Sequence, residues 1–234
     1  MNKEEEIDSY AIHCFRDMAD RDYVAARICY RAQLMPQFLW LGLQAVEKYT
    51  KCILLLNRIP SHNFGHDIRK SLFRVLEIDG LVPCISEQSL AFTRLLYEFG
   101  RSRYLENGYN SSSYQIVYLD CLVAEVRRCC AKPPEPYRDG CRYIRLQGGV
   151  LESILDDSKD PAHEGLTWQN GFFGNDRLDK VSLPVFVIAE RPRLVYSPEL
   201  VHDITKYVHL PKAIREHHSS LAEKGDQRGD NECD

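Results

Sequence analysis

The residues best suited to chemistry fall on one helical stripe and in the turn that follows it. Gln44, Glu47, Lys48, Lys51 and Arg58 recur at helical spacing along and just beyond the stretch Pro36–Asn57, and His66-Asp67 comes after a short loop. Two lysines and a histidine on one surface suit the binding of phosphate or of an acidic ligand. The same residues also have plain structural uses. Glu47 and Lys51 form a favourable i, i+4 pair worth about a few tenths of a kcal/mol. Asp67 suits a first helical turn, where the helix dipole favours a carboxylate, and His66 could cap or bridge two helices.

A second group is Arg94 with Arg101-Ser102-Arg103-Tyr104. Arginine gives bidentate contacts to phosphate and stacks on bases, and tyrosine adds a stacking surface. The alternative is a solvated last turn, in which cations oppose the negative helix end. Trp168-Gln169-Asn170-Gly171-Phe172-Phe173-Gly174 could line a pocket, but aromatics among glycines more often staple an irregular segment to a core. A glycine-rich phosphate loop, His-Glu-x-x-His and Gly-x-Ser-x-Gly are all missing. His163-Glu164, His202-Asp203 and His217-His218 are scattered, so neither a metal nor a cofactor is expected.

These groups need helices to position them. Apolar periodicity predicts a first helix from Asp8 or Ser9 to about Gln33, with residues 1–7 frayed, and a second over Pro36–Asn57. Pro36 suits a first turn. That second helix is apolar on most sides, the mark of a central element. Further helices are expected over His66–Ile78, Ser86–Leu105 and Tyr114–Cys130. Lys132-Pro133-Pro134-Glu135-Pro136 then stops helix formation. The expected fold is mainly α: an antiparallel bundle of about five helices over residues 8–131, with a small α+β extension over 137–212 packed on it. In that extension Gly149–Leu155 reads as a short helix, Leu183–Ala189 and Arg193–Tyr196 as strands, and Ser197-Pro198 as a helix start. Residues 213–234 are polar and read as partly disordered.

Composition sets outer bounds. The net charge of −4 provides no basic footprint for wholesale nucleic-acid binding, which leaves only local patches. No apolar run approaches the roughly 20 residues of a membrane helix. The acidic N-terminus does not read as a signal peptide. The nine cysteines are an odd number without a Cys-x-x-Cys pair, and most sit inside apolar helical patterns. They read as small core residues in a reducing cytoplasm.

Gln44-Ala45-Val46-Glu47-Lys48-Tyr49-Thr50-Lys51, followed by Gly65-His66-Asp67-Ile68, resembles the signature of the HEPN superfamily. Tyr23-Val24-Ala25-Ala26-Arg27 fits that family's first helix, and the resemblance covers residues 8–131. The family consists of small helical domains, often found beside nucleotidyltransferases or in defence systems. The resemblance implies a homodimer and a ligand that is RNA, a nucleotide or a protein partner. HEPN ribonucleases carry an Arg-x4-6-His motif, in which histidine moves a proton and arginine offsets phosphate charge without a metal. Here no histidine stands between 67 and 162. The expectation is therefore a non-catalytic binding module that uses Lys48, Lys51, His66, Arg94, Arg101, Arg103 and Tyr104. Two alternatives are a metal-independent ribonuclease with His66 or His62 as a relocated base, and a regulatory partner protein without a small ligand.

Overall fold

The computed structural model of the protein describes residues 3–79, 81, 85–100, 115–131, 146 and 148–173. The chain divides into two compact units, and all described residues belong to the first. Among the described residues the regular structure is helical throughout: α1 (Lys3–Tyr10), α2 (Asp17–Arg31), α3 (Met35–Leu56), α4 (Ile68–Leu76), α5 (Glu87–Phe99), α6 (Gln115–Arg127), α7 (Val150–Asp156) and α8 (His163–Thr167). The expected strands, the Ser197-Pro198 helix start and the polar tail lie outside the described residues.

The first helix begins earlier than its periodicity suggests. Lys3 already opens α1, so residues 3–7 of the segment read as frayed are helical. The reason lies far along the chain: Arg58 pairs with Glu4 at 2.5 Å and with Asp8 at 2.7 Å, fixing α1 against the end of α3. A π-helical stretch, Ala11–Arg16, joins α1 to α2 without a break in right-handed backbone. π-helical turns inside helices are rare, and this one turns Ala11 and Arg16 inward.

Helix α3 is the hub. It packs against α1, α2, α4, α5 and α6. Phe38, Leu39, Leu43, Val46, Tyr49 and Ile53 are buried on it. None of its large apolar side chains is exposed, and Trp40, Leu41 and Leu55 are half-buried. Gly42 lets neighbours come close, since a Cβ there would lie 3.3 Å from Leu119 and 3.4 Å from Leu96.

The chain reverses sharply after α2 and again after α3. Leu34 N–H donates to Cys29 O at 2.8 Å and Gln33 N–H to Tyr30 O at 2.9 Å. Ile59 N–H donates to Leu54 O at 2.8 Å and Arg58 N–H to Leu55 O at 2.9 Å. Both are Schellman endings, and both place a non-glycine residue in the left-handed region, Gln33 at φ 60° and Arg58 at φ 59°. Helices α4 and α5 start on side-chain caps, Asp67 and Ser86. Helices α7 and α8 both pack on α2.

Candidate functional site

Two polar assemblies stand out, one sealed in the core and one at the surface. The core assembly spans α2 and α6. Each helix carries Asp-x6-Arg: Asp20 and Arg27 on α2, Asp120 and Arg127 on α6. The helices run antiparallel, so the pairs cross. Arg127 donates to both oxygens of Asp20 at 2.7 and 2.8 Å, and Arg27 donates to Asp120. Each aspartate also accepts a phenol proton. Tyr49 Oη reaches Asp20 and Tyr23 Oη reaches Asp120, each at 2.6 Å. Burial, reinforced by the neighbouring carboxylate, holds both phenols well above their ordinary value, so they stay neutral donors.

The segment after the bundle completes this assembly. Glu152 on α7 accepts from Arg127 at 2.7 and 2.9 Å. Arg27 donates to the carbonyls of Gly165 and Trp168, and Asn170 donates to Tyr23 Oη at 2.9 Å. Phe173 packs on Tyr23 with ring centres 5.5 Å apart. The Trp168 segment therefore staples to the core, as aromatics among glycines are expected to. Asp20 and Arg27 are 0 % exposed, Asp120 1 % and Arg127 2 %, so the assembly is closed to ligands and is structural.

The surface assembly gathers part of the stripe read from the sequence. Glu47 and Lys51 lie on α3. The chain returns through Gly65, at φ 54°, to place His66 just before the Asp67 cap of α4. Lys51 Nζ and His66 Nδ1 both approach Glu47 Oε1, at 2.6 and 2.9 Å. Glu47 is 6 % exposed, and its Oε2 is buried without a partner among the described residues. The His66 ring is largely exposed. The carboxylate can only accept, so His66 donates through Nδ1 and its other ring nitrogen is not used by Glu47. Lys48 goes elsewhere, pairing with Asp22 on α2.

Beside this cluster, Arg69 on α4 is held on two sides. Its Nε and Nη2 donate to Asp67 at 3.1 and 3.0 Å, and its guanidinium carbon lies 3.7 Å from the centre of the Tyr97 ring on α5. The hydrogen bonds from Arg69 hold the Asp67 carboxyl below its ordinary value. Arg94 is one turn before Tyr97, exposed, and makes no ion pair among the described residues; the same holds for Lys70. Phe73, one turn after Arg69, is 64 % exposed.

The structure thus brings Lys51 and His66 together, sets Arg94 on the neighbouring helix, and turns Lys48 toward α2. Arg101, Arg103 and Tyr104 lie outside the described residues. Sequence reasoning missed Arg69, Phe73 and Tyr97. A usable signal was present: Phe73 falls off the inward stripe of Ile68, Leu72 and Val75, and Arg69 precedes it by four. It also missed the core assembly, whose signal was the repeated Asp-x6-Arg. Among the described residues no group of three or more His, Cys, Asp or Glu could hold a metal, and no helix is long and apolar enough to cross a membrane. Six described cysteines are free, and burial pushes the Cys129 thiol up to about 11, which suits a core residue. The chain matches no family model, and neither a curated protein nor a solved structure is detectably similar to it.

Proposed function

We propose that this chain is a HEPN-type binding module whose ligand is RNA or a nucleotide, held at the α3–α4–α5 surface. The observation that carries the reading is the convergence of Lys51 and His66 on Glu47, with Arg69 three residues after His66. A buried carboxylate orients the two groups, while the histidine keeps its other ring nitrogen for a ligand. Lys70 and Arg94 supply exposed cations beside them. The arginine–tyrosine cluster of the sequence adds Arg101, Arg103 and Tyr104 as further contacts with Lys48 nearby, and the resemblance adds a homodimer as the setting.

The test is fluorescence anisotropy of a labelled single-stranded RNA on the full chain. Replacing Arg94, Arg101 and Arg103 together by Ala is expected to remove binding with little change in melting temperature. A large loss of stability would mark the arginines as structural instead. Unchanged binding would move the site elsewhere.

A second reading follows from one distance. The Glu47–His66 hydrogen bond orients an imidazole as a base, the arrangement a metal-independent ribonuclease needs. It predicts RNA cleavage that survives a chelator and disappears in His66→Ala. Intact RNA after prolonged incubation would dismiss it and leave the binding reading standing.

A further inference from the structure

We infer that Arg69 and Phe73 form a stacking subsite for the bases of a single-stranded nucleic acid, an inference that rests on the binding reading above. The guanidinium of Arg69 is fixed along one edge by both oxygens of Asp67 and across one face by the Tyr97 ring. A group held in this way is a rigid plane with its motion already removed, so little rotamer freedom is lost when a ligand lands on it. The side chain is 44 % exposed, so part of it remains open to solvent although Asp67 and Tyr97 hold it.

Phe73 supplies the second surface. Residues four apart on a helix are neighbours on one face, about 6 Å apart along the axis. Phe73 is the most exposed of the large apolar side chains among the described residues. Tethering α4 to α5 accounts for Asp67 and Tyr97, but it gives neither the exposed Phe73 ring nor the exposed part of Arg69 a role. A planar, weakly polar ligand covers both. Lys70 follows Arg69 directly, and Arg94 stands one turn from Tyr97. Cations flanking stacking surfaces fit a base-bearing polyanion, which selects single-stranded nucleic acid over an apolar peptide.

The experiment compares two labelled oligomers of equal length and charge on the full chain: a single-stranded RNA, and an abasic ribose-phosphate chain. The RNA is expected to bind about tenfold more tightly, the scale of one base stacked on an aromatic side chain. Phe73→Ala should bring the two affinities within about twofold by weakening RNA only. Because Phe73 is exposed, the thermal melt should be unchanged, and Arg69→Gln gives a second variant with the same expected loss. Equal affinity of the two oligomers for the unaltered chain would overturn the stacking subsite while leaving a phosphate-binding module intact. A tenfold preference that persists in both variants would also overturn it, by placing the stacking elsewhere. Binding of neither oligomer would remove the parent reading and the subsite together.

Discussion

Asp20 on α2 takes two hydrogen bonds from Arg127 on α6, at 2.7 and 2.8 Å, with both side chains sealed from water. Seven residues further along α2 and seven residues back along α6, Arg27 and Asp120 make the same pair with the roles reversed. The bundle thus carries its charges in crossed pairs, each completed by a tyrosine. Breaking such a pair from one side leaves a buried charge without its partner. Arg127→Ala is expected to lower unfolding free energy by about 3–5 kcal/mol, read by urea denaturation. A loss below about 1 kcal/mol would show that water reaches the site.

The same arginines bind the segment after the bundle to it. Glu152, the Gly165 and Trp168 carbonyls and Asn170 satisfy groups on α2 and α6 that would otherwise be short of partners. A chain ended at Ala131 is therefore expected to lose cooperative unfolding, or to melt far below the full chain, in a circular-dichroism scan. An unchanged melt would make residues 146–173 an accessory.

Gln33 ends α2 in the left-handed region, where a side chain costs roughly 1–2 kcal/mol. Gln33 is exposed, and its side chain makes no hydrogen bond among the described residues. Gln33→Gly should raise stability by about 0.5–1 kcal/mol, visible as a higher urea midpoint with an unchanged slope. Arg58, in the same conformation, should behave in the opposite way: Arg58→Gly relieves strain but releases Glu4 and Asp8. Its expected signature is faster amide exchange in α1.

Asp67 caps α4 and accepts from Arg69, and its folded value lies below the ordinary 3.8. Its contribution is complete above the unfolded value and is lost as pH falls through the lower folded one. Asp67→Ala should cost about 1 kcal/mol near neutral pH, with the difference from the unaltered chain closing below about pH 4. A difference that persists at pH 2 would mean that packing, rather than charge, is what the substitution removes.

Much of the bundle is legible in the chain because its helices bury one-sided apolar stripes. Pro36 marks the start of α3, and the short link between α2 and α3 makes them neighbours. The central place of α3 follows from a surface apolar on most sides. The start of α1 was not legible, because Lys3–Tyr10 has no apolar face and is held by Arg58, 50 residues or more away. The crossed pairs were hidden for a related reason. A charged residue reads as solvent-facing until its partner is known, and Asp120 lies 93 positions from Arg27. At the surface, Lys51 and His66 were legible as a pair because helix periodicity and the turn at Gly65 bring them together. Arg69 was not, because its role depends on Tyr97 across a helix interface that periodicity does not specify.

The most direct test of the central claim is a salt titration of RNA binding, with a labelled single-stranded RNA and the full chain followed by anisotropy. Saturable binding is expected, with an affinity that falls as salt rises and a slope reporting the few phosphates contacted. Lys70→Ala combined with Arg94→Ala should make that slope shallower without altering the melt. Folded protein that binds no RNA at low salt, or binds it with a slope the double variant leaves unchanged, would contradict the claim that this surface holds a phosphate-bearing ligand.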